Sequence, residues 1–186
     1  MNNVIFSING PVVTVRDTKD FAMLEMVYVG EKRLVGEVIG INDQATTIQV
    51  YEETTGLKPG EPVYKTDAPI RATLGQGILS NIFDGIERPL RSLYSLSGAF
   101  IDRGANIPAL DEERTYEVTL QVSPGDELKG GDIYATCPET RVILHKCMLH
   151  PSLSGKVTYT APNGSYKIND VIAKIQTPSG AEAELT

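Results

Sequence analysis

Four residues able to hold a soft divalent metal fall within fourteen positions: Cys137, His145, Cys147 and His150. Thiolates and imidazoles are what a zinc site uses, but its ligands come as closely spaced pairs. Here positions 145 and 147 share one face of an extended strand while Cys137 stands on a separate run. Buried thiols and surface imidazoles are the expected reading, with no metal. The primary amine of Lys146 lies inside the same cluster. Carboxylates are plentiful at Glu52-Glu53, Asp111-Glu112-Glu113 and Asp126-Glu127. Neighbours on a strand point to opposite faces and in loops are solvated, so no acid–base pair is specified. The two histidines have no readable Ser or Asp partner, and no nucleophilic triad follows.

A phosphate-binding loop would need Gly-x-x-x-x-Gly-Lys-Ser/Thr, whose amides cradle phosphate while the lysine and hydroxyl reach phosphate and magnesium. The chain's Gly-Lys pair, Gly155-Lys156, is followed by Val157 and has His150 where the first glycine would stand. No catalytic, cofactor-binding or metal-binding residue is expected in this chain.

The elements around these groups are β-rich. Short β-branched runs occupy the first third: Val12 to Val15, Met26 to Val29, Leu34 to Ile39 and Thr46 to Tyr51. The breaks at Gly30-Glu31-Lys32-Arg33 and Ile41-Asn42-Asp43-Gln44 are hairpin-sized, so an antiparallel barrel closing on itself is expected over residues 1–70. Gly56 to Pro62 reads as a turn leading to its last strand. From Pro69 the texture changes. Leu74, Ile78, Leu79, Ile82 and Phe83 recur at helical spacing before Asp84-Gly85 and Pro89, which predicts a short helix in a connector over 71–109, with Asp84 and Arg88 near enough for a structural ion pair. Strand texture returns at Tyr116 to Val122, Gly130 to Thr136, Arg141 to His145, Gly155 to Tyr159 and Ile168 to Ile175. That makes a second β domain over 110–186. No internal repeat is evident.

The totals narrow the function. A chain of 186 residues with 41% hydrophobic content can pack two small cores. Its net charge of -7 argues against a nucleic-acid footprint, which needs clustered Lys and Arg. The start, Met1 to Phe6, lacks the basic and apolar regions of a signal peptide, and no later apolar run approaches the roughly 18 residues of a membrane span. A soluble, cytosolic protein with reduced cysteines and protein partners is expected.

Thr54-Thr55-Gly56-Leu57-Lys58-Pro59-Gly60-Glu61-Pro62-Val63, the stretch from Gly75-Gln76-Gly77 through Ser80 and Asp84-Gly85-Ile86-Glu87-Arg88-Pro89-Leu90, Pro138-Glu139-Thr140 with His145-Lys146, and Val171 to Gly180 together resemble the catalytic A subunit of V-type and archaeal A-type rotary ATPases. The resemblance covers nearly the whole chain. It implies an all-β N-terminal portion: a small antiparallel barrel, a short helical connector and a barrel-sandwich domain, the "bulge" or non-homologous region, ending before the nucleotide-binding domain. The parent enzyme of the resemblance binds Mg-ATP between A and B subunits and couples hydrolysis or synthesis to proton or sodium movement. This portion would contact B subunits in the ring and the peripheral stalk through the bulge, at the cytoplasmic face of a membrane it does not itself enter. Gly131 to Ala135, His145 to Met148 and Gly155 to Val157 also resemble a biotinyl or lipoyl carrier domain, which presents its modified lysine at a hairpin tip. On that alternative Lys146 would carry the group, though a biotinyl lysine is flanked by Met and here the neighbours are His145 and Cys147.

Overall fold

The computed structural model describes residues 3–16, 20–79 and 81–186. Met1, Asn2 and Ser80, which enter the sequence expectations, lie outside them. Two compact units form, one from Met1–Thr73 with Ile82–Ile107, the other from Leu74–Asn81 with Pro108–Thr186. The stretch 71–109 is thus shared between them.

Unit 1 is a barrel of six antiparallel strands: β1 (Ile5–Asn9), β2 (Val12–Arg16), β3 (Glu25–Val29), β4 (Leu34–Ile41), β5 (Ala45–Val50) and β6 (Val63–Pro69), in the order β1-β2-β5-β4-β3-β6. The two ends of that order meet. Val4 bridges Pro62, Ile5 N–H donates to Glu61 O at 2.8 Å and Val63 N–H donates to Asn3 O at 2.7 Å, so the sheet closes and buries its own edges. Alternation does the rest: every second residue, including Val13, Val15, Val27, Val29, Leu34, Val38, Ile48 and Val50, is buried in the interior. Gly10, at φ +56, makes the tight β1–β2 turn, and the Asn42 side chain accepts the Gln44 and Ala45 amides to make the β4–β5 turn.

Glu25 is a buried charged residue of this barrel. Its carboxylate accepts Ala22 N–H at 2.8 Å and Asp67 N–H at 2.9 Å, fixing the approach to β3 and the irregular end of β6.

The helix is not where the apolar spacing predicts it. Residues 74–79 form bends and turns, Phe83 bridges Pro89, and α1 runs from Leu90–Ser97 in unit 1, entered from Pro89 and closed by Gly98, whose N–H donates to Tyr94 O. The glycines explain the first part: Gly77 sits at φ +94, outside helical space. Pro89 explains the second. A proline lacking its N–H ends a helix when it follows one, but it is equally at home where a helix begins.

Unit 2 is a sandwich of two four-stranded antiparallel sheets. One holds β7 (Thr115–Leu120), β9 (Ile133–Pro138), β10 (Leu144–Met148) and β12 (Gly164–Lys167), ordered β10-β9-β7-β12. The other holds β8 (Glu127–Leu128), β11 (Gly155–Thr160), β13 (Ala173–Gln176) and β14 (Glu182–Leu185), ordered β14-β13-β11-β8. Tyr116, Val118, Tyr134, Leu149, Val157, Ile172, Ile175 and Leu185 are among the residues filling the core between them.

The fold gives meaning to a short internal repetition that strand texture alone passes over. Lys129-Gly130-Gly131-Asp132-Ile133-Tyr134-Ala135 and Lys167-Ile168-Asn169-Asp170-Val171-Ile172-Ala173 make the same turn. In each, the Asp carboxylate accepts the Lys backbone N–H at 2.8 Å, and the Asp N–H donates to the Lys carbonyl at 3.0 and 3.1 Å. Two residues beyond the Asp, Tyr134 O accepts Gln121 N–H and Ile172 O accepts Ala161 N–H, and then Ala135 and Ala173 are fully buried.

Candidate functional site

In unit 2 the Gly75-Gln76-Gly77 and Pro138-Glu139-Thr140 motifs, more than sixty residues apart, come together. The Glu139 side chain is only 4% exposed. It accepts Gly77 N–H at 2.9 Å and Leu79 N–H at 3.3 Å, and its other oxygen lies 3.5 Å from His145 Nδ1. Gln76 Nε2 donates to Cys147 Sγ at 3.3 Å. The spacing of the two glycines follows from what lies beneath them: a Cβ at Gly75 would come 2.8 Å from Leu110 Cδ1, and one at Gly77 would come 2.4 Å from Tyr116 Oη. Segment 74–79 is therefore seated on the sandwich by its own amides.

The other suspected groups do not converge. Cys137 and Cys147 are free thiols buried in the core, whereas the His150 imidazole is exposed and bonds Ser152 Oγ at 2.7 Å. Among the described residues no three His, Cys, Asp or Glu side chains are placed to hold a metal ion. Burial pushes the Cys137 thiol up, and it pushes Cys147 up to about 11. At pH 8 Cys147 would then be about one part in a thousand thiolate. Neither cysteine should react with a water-soluble disulfide reagent in the native protein, and both should react once denaturant is added. Fast labelling of either thiol in the native state would show that the core is not closed around them.

Lys146 stands within β10, paired with Thr136 of β9, not at the hairpin tip. The tip belongs to Thr140, Arg141 and Val142, the last 90% exposed. The carrier geometry is not reproduced. Gly155 lies in β11 because a Cβ there would come 2.3 Å from Gln176 O of β13, a requirement of strand approach and not of phosphate binding.

Unit 1 has a polar cluster that the sequence reveals only in part. Arg88 Nε bonds Asp84 Oδ2 at 2.7 Å, the pair expected from the spacing. Glu52, 8% exposed where the sequence predicts a solvated carboxylate, joins it: its Oε2 lies 3.4 Å from Arg88 Nη1 and accepts Gly104 N–H at 2.9 Å. Burial alone would raise the Asp84 carboxyl, but the Arg88 and Ile86 amides together with the Arg88 guanidinium outweigh it and hold the group below its ordinary range. The stability it contributes is present above the unfolded pKa of about 3.9 and is lost as pH falls through the lower folded value. Both clusters position loops.

A closed antiparallel barrel and a barrel-sandwich unit, with no phosphate loop in either, define the class: the paired β modules of an ATP synthase chain. A family model described as the ATP synthase alpha/beta family, beta-barrel domain matches residues 5–67, and one described as the ATP synthase alpha/beta subunit barrel-sandwich domain matches residues 107–186. The V-type ATP synthase alpha chain of Halothermothrix orenii is 44% identical over 176 residues, which cover 95% of this chain and 30% of that protein. The A subunit of the A-type ATP synthase of Thermococcus sibiricus is 44% identical over 181 residues, 97% of this chain and 31% of its own. Among solved structures, the assembled ATPase EscN of the enteropathogenic E. coli type III secretion system covers 47% of this chain at 22% identity, and the match covers 21% of its own chain with a TM-score of 0.43. The chain belongs to the ATP synthase alpha/beta family. It spans about 30% of the length of these two relatives.

Proposed function

We propose that this chain supplies the assembly surfaces of a rotary ATPase A subunit but none of its chemistry. The observation that carries the reading is identity of 44% along nearly the whole chain to these relatives, in residues that hold the two β modules but no Gly-x-x-x-x-Gly-Lys-Ser/Thr. The full-length protein would bind Mg-ATP between A and B subunits and couple hydrolysis or synthesis to proton or sodium transport, at the cytoplasmic face of the membrane. Residues 1–70 act as the ring module beside B subunits, residues 71–109 as the connector, and residues 110–186 as the bulge, available to the peripheral stalk. No helix among the described residues is long and apolar enough to cross a membrane. The connector's exposed Tyr94, Leu96, Phe100 and Ile101 fit a segment that runs along a nucleotide-binding domain.

Two measurements test this reading. Calorimetric titration of the chain with Mg-ATP should give no saturable heat, because the sequence has no Gly-x-x-x-x-Gly-Lys-Ser/Thr to cradle the phosphates. Micromolar affinity at one defined site would overturn that half. In the full-length protein, replacing the bulge with a short Gly-Ser bridge should leave the ring with B subunits intact and reduce retention of the peripheral stalk, since stalk attachment adds several weak contacts. Stalk retention at the wild-type level, or loss of the ring by a folded deletion variant, would assign the bulge to a different partner.

A further inference from the structure

We propose that the outer edge of β10 in unit 2 is a docking strand for an extended segment of another protein, one that presents apolar, acidic and apolar side chains at alternate positions. β10 ends its sheet: it pairs with β9 on one side, and among the described residues no strand pairs with the other. One bond fixes the direction of its backbone groups. Glu139 N–H donates to Ile143 O at 3.0 Å, so Ile143 faces β9, and by the alternation of an antiparallel ladder Leu144 and Lys146 turn their N–H and C=O groups away from it. An open row of this kind is a template for one more strand. Its side chains suit a partner as well: Val142, Ile143, Leu144 and Met148 are all exposed within seven residues.

Charge selects the occupant. From Arg141 to Leu149 there is no Asp or Glu, although the whole chain carries a net charge of -7. Arg141 and Lys146 are exposed, and among the described residues neither has an ion pair. The carboxylates nearest in register are committed elsewhere, Glu139 to the Gly77 and Leu79 amides and Asp132 to the Lys129 amide. Leu144, Lys146 and Met148 stand exposed at alternate positions, with Cys147 buried between the last two. A second copy of β10 laid antiparallel on the first would set Lys146 against Lys146, and like charges directly opposite are destabilising. A strand with a carboxylate at that place meets the ammonium, and its apolar neighbours two residues to either side meet Leu144 and Met148. Lys146 thus keeps a bare apolar edge from pairing with itself and admits an acidic strand. This mode of contact does not depend on whether the partner is the peripheral stalk.

A peptide of the stated chemistry tests the edge. The whole chain, isotope-labelled for NMR, is titrated with Thr-Val-Thr-Glu-Thr-Val-Thr blocked at both ends. Saturable shifts should centre on residues 142–148, and the Leu144 and Lys146 amides should exchange more slowly once the peptide is bound. The same peptide with Lys in place of Glu should bind roughly fivefold more weakly, and Lys146→Glu should reverse that order. Because Lys146 is exposed and unpaired, the substitution should leave the spectrum away from β10 unchanged. No saturable shift at Leu144 and Lys146, binding centred elsewhere on the chain, or an unreversed peptide preference in Lys146→Glu overturns the proposal. So does a dimer in sedimentation that protects the same two amides, since a second copy then occupies the edge.

Discussion

Glu139→Ala should destabilise unit 2 by about 2–4 kcal/mol, since it strips the partner from two amides at once and each buried group left unpaired costs about 1–3 kcal/mol. The Gly77 N–H, buried under its own segment, bears most of that cost, while Leu79 is 43% exposed and can turn to water. His145 contributes little to the balance. It lies 3.5 Å from the carboxylate and is 28% exposed, where ion pairs are worth about 0–1 kcal/mol, so His145→Ala should change stability far less than Glu139→Ala. Glu139→Gln keeps one acceptor oxygen near Gly77 and should fall between the two. The loss should be local as well as global, with amide hydrogen exchange in 74–81 accelerating before that of β7 and β9. A Glu139→Ala protein with an unmoved unit 2 midpoint and unchanged exchange at Gly77 would show that the carboxylate does not seat this segment.

How much of this is legible in the sequence depends on the range of the interaction. The barrel is, because Val13, Val15, Val27, Val29, Ile48 and Val50 alternate with outward residues and period two needs no knowledge of partners. The turns at 30–33 and 42–44 are legible for the same reason. β14 is not. Glu182-Ala183-Glu184-Leu185 has little intrinsic strand preference and becomes a strand by pairing with β13, where Lys174 Nζ meets Glu184 at 2.9 Å and Glu182 at 3.3 Å. β12 is hidden by Pro162-Asn163-Gly164, which reads as a turn although Gly164 already opens the ladder with β7. The helical spacing from Leu74 misleads because spacing alone carries no information about the carboxylate of Glu139, which takes two amides in that stretch. Two glycines within three residues are the available signal of close backbone approach. The duplicated Lys-x-x-Asp-x-x-Ala turn is readable too, at an offset of 38 residues, but conformational equivalence makes it meaningful. Glu52 could not have been found, since its role depends on Arg88 and Gly104 arriving from a distant loop.

That loop gives the other large effect. Gly98 and Gly104 share a φ of +74, which L side chains rarely adopt, and Gly98, at ψ -144, lies in a region that is essentially glycine's alone, so alanine there costs about 1–3 kcal/mol. Their surroundings differ. A Cβ at Gly98 has nothing within 4 Å, whereas one at Gly104 would come 2.0 Å from the Lys32 carbonyl oxygen and 3.1 Å from its carbon, both backbone atoms of the β3–β4 turn. Neither atom can rotate away as a side-chain tip would, so Gly104→Ala must move the loop or the turn, and overpacking of this kind costs a further 1–3 kcal/mol or so. Moving the loop also breaks the Gly104 N–H bond to Glu52 and leaves that nearly buried carboxylate with Arg88 as its charged partner. Gly104→Ala should therefore destabilise unit 1 by about 2–5 kcal/mol, against about 1–3 kcal/mol for Gly98→Ala, with exchange accelerating around Arg88 only in the former. Chemical denaturation of both variants checks the difference. Equal losses at the two positions would mean that backbone conformation alone explains the glycine at 104 and that the loop does not press on the barrel as its geometry requires.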